Sequence, residues 1–316
     1  MVFHRIRRKS TTLLFLLLSA CGLAARCGTP EPVDEAAFKA LYATPLPPSE
    51  APLRVYHLGH SLVGRNMPVL LEQLSGAGHS FSSQLGWGAN LREHWEPDVP
   101  VKGFEESNQH PQFRDPHEAL ATGSYDVLVV TETVEIRDSI KYQDPQGYLR
   151  KWANAAWADN PATRVYLYET WHNLDDPEGW LTRLDLDLGR YWEKEILRRT
   201  LAHDDVTQPI YVIPGGQVMA AFVRRVEQAG GIGPIRGRED LFADTIHFSD
   251  YGAYLVALTH YAVLYGRSPV GLPHRLVDVK NEPVDDPGPE AARAMQETVW
   301  EVVTAYPPSG VVQAGN

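Results

Sequence analysis

The run Asp126-Val127-Leu128-Val129-Val130 is apolar without interruption after its first residue. A strand with one wet face alternates apolar and polar side chains, so an unbroken Val/Leu run of this length fits a strand covered on both faces. Working outward, residues 53–58, 80–85, 164–168 and 209–213 share this β character, and helical spacing marks 67–77, 145–158, 185–203 and 218–228 between them. Strands that alternate with helices specify a parallel sheet with helices packed on its faces.

The count and spacing fit a three-layer α/β/α sandwich with a flavodoxin-like, five-stranded parallel sheet. A further helix over 249–265 carries Tyr251, Tyr254, Leu255, Leu258, Tyr261 and Leu264 on one stripe, which reads as core. The pairs Gly215, Gly216 and Gly230, Gly231 read as loop punctuation, since neither fits a phosphate loop or a dinucleotide fingerprint.

With 316 residues and 43% hydrophobic content, the chain can bury a large core. Its 29 basic and 40 acidic residues give a formal charge of −11, which argues against nucleic acid or an anionic membrane surface as partner and suits a neutral or polar substrate.

At the N-terminus, Arg5, Arg7, Arg8 and Lys9 precede an uncharged stretch over 11–25. That stretch is shorter than the about 20 apolar residues of a membrane span and reads as an export leader. Leu18-Ser19-Ala20-Cys21 is similar to the bacterial lipobox. It implies a leader over 1–20 and a lipid anchor on Cys21 at the cell envelope, membrane contact being by that anchor alone; a secretory cut near Ala24 or Ala25 is the competing reading. With Cys21 and Cys27 alone, no disulfide framework can staple the fold. Residues 21–52, with Pro45, Pro47 and Pro48, read as a tether with one helical turn near 35–42. One domain then fills 53–316 and ends in a helix over 290–304.

Ligands of open α/β sheets sit beyond the carboxyl ends of the strands. Gly59-His60-Ser61-Leu62 falls there after the first β-run, with Gly59 permitting a sharp exit from the strand. Alone, Ser61 reads more readily as a turn or cap residue. Asp244-Thr245-Ile246-His247 supplies what a serine nucleophile lacks: an imidazole to take its proton and a carboxylate to fix the imidazole's tautomer. Helix capping is the structural alternative for this pair.

These blocks resemble those of the SGNH/GDSL-type serine hydrolases over roughly residues 53–266, in a divergent exported bacterial branch. Gly59-His60-Ser61-Leu62 is similar to the first block, with His60 in place of the usual Asp, and Asp244 to His247 is similar to the last, including its run into Phe248-Ser249-Asp250-Tyr251-Gly252. The resemblance implies a catalytic set of Ser61, Asp244 and His247. It also implies an oxyanion-binding Gly88 within Gly86-Trp87-Gly88-Ala89-Asn90-Leu91, with Asn90 as a further donor.

The third block departs from the family, reading Val130-Thr131-Glu132-Thr133 with no Asn, so Thr131 is left as a hydroxyl donor and Glu132 stands beside it. Glu132, Glu169, Trp171 and His172 fall at carboxyl ends of strands and are expected to line the pocket, Trp171 either as an aromatic platform for a sugar or as rim packing. The histidines lack a metal spacing, and neither a metal nor a cofactor is expected. The expected activity is hydrolysis of O-acyl esters, such as O-acetyl groups on carbohydrate. The alternative is a noncatalytic polysaccharide-binding or envelope-assembly lipoprotein that keeps the fold.

Overall fold

Five strands, β1 (Arg54–His60), β2 (Ser80–Gly86), β3 (Val127–Val130), β4 (Arg164–Glu169) and β5 (Tyr211–Pro214), form one sheet in the order β2-β1-β3-β4-β5 in the computed structural model, which describes residues 29–313. Every pairing is parallel, and all four β3 side chains are buried, as the unbroken run 127–130 requires. The expected five-stranded α/β/α architecture is the observed one, with strand boundaries shifted only at their ends. From β1 the chain steps outward to β2 and then returns past β1 to β3. Loops leaving a sheet at such a reversal diverge and open a crevice at the carboxyl ends. Ser61 directly follows β1 at this crevice.

One helical layer contains the helices Asn66–Ser75, Gly215–Ala229, Asp250–Tyr265 and Gly288–Ala305; the other contains Leu91–Trp95, Pro116–Ala121, Pro145–Asp159 and the helical segment from Trp180 to Thr200, which is π-wound over Leu188–Leu197. The helix Asp250–Tyr265 is buried on every side from Gly252 onward because it lies beneath Asn66–Ser75 and Gly288–Ala305. Its apolar surface therefore goes all round, beyond the single stripe expected. Among the described residues no helix is long and apolar enough to cross a membrane.

Two expectations change. Residues 29–52 are laid along the domain: the helix Glu35–Leu41 buries Phe38, Tyr42 donates from its hydroxyl to Ile210 O (2.6 Å), and the backbone joins Arg198, Gly310 and Tyr265. The prolines deny this segment regular structure, yet its aromatic residues dock. Gly215 and Gly216 open a helix instead of punctuating a loop, and the Glu169 carboxylate accepts the Gly216 and Gln217 N–H groups there (2.8 and 3.2 Å). The leader and Cys21 lie outside the described residues.

Candidate active site

After β1 the chain turns tightly, with the N–H groups of Val63 and Gly64 both on His60 O (2.9 and 3.2 Å). Gly59 lies within the strand, and its role is space: a Cβ there would stand 2.6 Å from Thr131 Cγ2. His60 is fully buried, accepts the Leu62 N–H at Nδ1 (3.2 Å) and donates from Nε2 to Glu132 O (2.9 Å). These partners fix one neutral tautomer. Burial lowers the His60 pKa to about 4, consistent with that state. His94 is buried and neutral in the same way, donating from Nε2 to Gly59 O (2.9 Å) while Nδ1 accepts from Gln84 Nε2 (3.0 Å). Two uncharged imidazoles therefore hold the backbone on either side of the turn that carries Ser61.

The second half of the site is the short loop between Phe242 and Phe248, which are bridged as an antiparallel pair. Asp244 Oδ1 accepts the Ile246 and His247 N–H groups (2.8 and 2.7 Å), and Oδ2 accepts His247 Nδ1–H (2.7 Å). With Nδ1 protonated, His247 Nε2 can only accept, and Ser61 Oγ stands 3.0 Å from it. The backbone and side-chain hydrogen bonds from His247 lower the Asp244 pKa to about 2. Ser249 caps the following helix, so Asp244 and His247 are not needed as its cap. The side chains of His247 and Asp244 are 46% and 54% exposed, which makes this an open relay.

The loop after β4 holds the loop between Phe242 and Phe248 from behind. Trp171 Nε1 donates to Ile246 O (2.8 Å), Leu174 N–H to Thr245 O (2.8 Å) and Thr245 Oγ1 to Asn173 Oδ1 (3.2 Å). That support is itself fastened by Arg183, buried to 2% exposure, whose guanidinium reaches Asp187 (2.7 Å), Asp176 (2.8 Å) and Glu135 (3.2 Å). His172 Nε2 pairs with Asp187 at 2.9 Å. Glu135, His172 and Asp176 converge as metal ligands would, but the Arg183 guanidinium already pairs with two of them and approaches His172 Nδ1 at 3.4 Å. A fixed cation thus serves this cluster.

Several residues expected at the pocket lie elsewhere. Thr131 is fully buried and donates its hydroxyl to Tyr168 O (2.7 Å), so that hydroxyl is committed to the core. Glu132 is equally buried and accepts the N–H groups of Thr133 (2.8 Å) and Leu91 (3.4 Å), while burial raises its pKa to about 7. Glu169 is spent on the start of the helix Gly215–Ala229, and burial raises its pKa to about 8. Trp171 is 1% exposed, covered by Phe242 and Phe248, and offers no platform. Asn90 caps the helix Leu91–Trp95, with Oδ1 accepting Glu93 N–H (3.0 Å) in a reciprocal capping box.

Gly88 remains exposed at φ +57°, and the register His60↔Gly86 sets it on the strand end next to Ser61. Thr133, which the sequence reading passed over, reaches across to donate from Oγ1 to Gly88 O (2.9 Å), while Trp87 N–H is held by Lys102 O (2.7 Å). Trp87 was also missed. It is 58% exposed, and its ring lies against Gly103, where a Cβ would stand 2.3 Å from it. With Ser61, Gly64, Arg65, Leu85, Gly86, Glu106 and Ser107 it lines a cleft of about 220 Å³. The flanking glycines, Gly86 and Gly88, were the available sign of an exposed ring on a spare backbone.

Neither a protein-family model nor a curated protein matches the sequence. Among solved structures, a DUF4886 family protein from Bacteroides uniformis is similar, at 16% identity and a TM-score of 0.52 over 83% of this chain and 98% of that one. A putative GDSL-like lipase from Parabacteroides merdae (15% identity, TM-score 0.42, covering 68% and 95%) and the lipase Lip_vut3 from a goat rumen metagenome (15%, 0.34, covering 68% and 99%) align less closely. At these identities the likeness is one of fold alone, an α/β sandwich built on a five-stranded parallel sheet.

Proposed function

We propose that this protein is an exported serine esterase that hydrolyses O-acyl esters, with O-acetyl groups on carbohydrate as the substrate class. The observation that carries the reading is the continuous relay Ser61 Oγ to His247 Nε2 (3.0 Å) and His247 Nδ1 to Asp244 Oδ2 (2.7 Å), set at the carboxyl edge of a parallel sheet. His247 takes the Ser61 proton as Oγ attacks the ester carbonyl, Asp244 stabilises the imidazolium, and the alcohol leaves with that proton. Water, deprotonated by His247, then adds to the acyl-serine and releases the acid, restoring the Ser61 hydroxyl. The backbone N–H groups of Ser61 and Gly88 bind the oxyanion, the latter on a loop anchored by Thr133 and Lys102.

An open relay and an exposed Trp87 beside it suit a bulky, hydroxyl-rich alcohol that covers the site when bound. Anchoring through Cys21 completes the proposal, and Cys21→Ser should release the protein from the membrane fraction. The esterase reading is tested with p-nitrophenyl acetate and a fluorophosphonate label. Wild type should turn over and be labelled, and Ser61→Ala should do neither; turnover that survives Ser61→Ala, or a wild type inert to both reagents, defeats it. Glycan binding by such an inert wild type would instead favour the noncatalytic alternative.

A further inference from the structure

The cleft at Ser61 is small. Its volume of about 220 Å³ falls below the roughly 300–1,000 Å³ usual for ligand pockets, so it holds an acyl group and little of the alcohol. A second hollow of about 340 Å³ lies next to it, and Arg65 lines both.

This hollow is built from three segments tied together. Its base is the helix Asn66–Ser75, through Glu72 and Gln73. One wall is the loop after Val277, which Gln73 holds as a strand neighbour would: the side-chain amide donates to Val277 O (2.8 Å) and accepts Val277 N–H (3.0 Å). Asp278 Oδ1 fixes the loop tip by accepting the Lys280 and Glu282 N–H groups (2.8 and 2.9 Å), and Asn281 sits there at φ +63°. The opposite wall is Gln112, whose carbonyl accepts Ser83 N–H (3.1 Å) from β2. Beside Arg65 the lining is divided about equally between polar groups, among them Glu72, Asp278, Gln112 and Asn281, and the apolar Val69, Pro111, Val277 and Val279. The polar groups pair with hydroxyls in both donor and acceptor senses, whereas an acyl chain would leave them unsatisfied.

We propose that this hollow is a subsite for a sugar unit on the alcohol side of the ester. The substrate is then an acylated oligo- or polysaccharide that spans both cavities across Arg65. The inference rests on the esterase reading and extends it from a chemical class to a chain length.

The test compares acetylated monomers with acetylated trimers of xylose, mannose and N-acetylglucosamine, each measured as kcat/KM beside p-nitrophenyl acetate. In at least one sugar series the trimer should exceed the monomer by tenfold or more. That ratio should fall to near one in Gln112→Ala/Asn281→Gly, in which glycine keeps the positive φ available. Trimer-to-monomer ratios near one in every series, or a ratio that survives the double substitution, overturn the subsite. If wild type turns over no ester at all, the esterase reading fails separately. The subsite is then judged by calorimetry of wild type with the deacetylated trimers: binding lost in the double variant upholds it, and absence of binding overturns it.

Discussion

Replacing Asp244 by Asn keeps the shape of the relay and removes its logic. Asp244 Oδ1 is engaged by two backbone N–H groups, Ile246 at 2.8 Å and His247 at 2.7 Å. In Asp244→Asn the amide oxygen must stay there, which turns the NH2 group toward His247 Nδ1. A donor facing Nδ1 selects the tautomer with its proton on Nε2, and that nitrogen can no longer accept from Ser61. Rotating the amide to recover the working tautomer would break both backbone bonds, at about 1 to 1.5 kcal/mol each. Loss of the carboxylate beside the imidazolium removes about another 1 to 2 kcal/mol, a modest figure because a half-exposed charge is screened by water.

The total of about 4 kcal/mol predicts a kcat about a thousandfold lower on p-nitrophenyl acetate, with KM little changed. Because the backbone bonds survive, Tm should move by no more than a few degrees. Asp244→Ala should show the opposite balance, with a larger drop in Tm and a smaller loss of kcat, since water does not impose a tautomer on Nδ1. A loss below tenfold in Asp244→Asn with an unchanged Tm, or Ala less active than Asn, would refute the reasoning.

Two further outcomes follow from the surroundings of the site. His60, His79, His94 and His260 are buried with pKa values lowered by that burial to about 4, so the unfolded chain takes up their protons first as the medium is acidified. The stability they contribute is present above the ordinary histidine pKa of 6.5 and is lost as pH falls from there toward 4, at about 1.4 kcal/mol per pH unit for each histidine. The raised pKa values of Glu132 and Glu169 work in the opposite sense, so a net fall in Tm below pH 6.5 is expected, and a flat or rising Tm between pH 6.5 and 5 would contradict it. Trp171→Phe removes the bond to Ile246 O and part of the packing against Phe242 and Phe248. It should cost about 2 to 3 kcal/mol in urea denaturation and lower kcat about tenfold with KM nearly constant, whereas a raised KM at full kcat would place Trp171 in substrate contact.

The parallel sheet was legible because a strand buried on both faces leaves a compositional trace, and residues 127–130 carry it without a break. That Ser61, Asp244 and His247 would meet was legible because spacing of one turn and placement after a strand are local properties. What escaped the sequence depends on contacts between distant segments. Thr131 and Thr133 are two hydroxyls in one exit loop; Tyr168 O claims the first and Gly88 O the second, and nothing local ranks them. Trp171 and Trp87 each follow a strand, yet the loop between Phe242 and Phe248 buries one while the other rests exposed on Gly103. The docking of residues 29–52 did leave a sign, since Phe38 and Tyr42 stand one helical turn apart and meet edge to face on the domain.

The Arg183 guanidinium that ties Glu135, Asp176 and Asp187 together is covalently part of the chain. A calcium ion in the same place would exchange with the medium, and the stiffness of the loops behind His247 would then follow whatever that medium supplied. A captive cation makes this rigidity indifferent to chelators and to mineral scarcity, and it cannot be tuned from outside by withholding a metal.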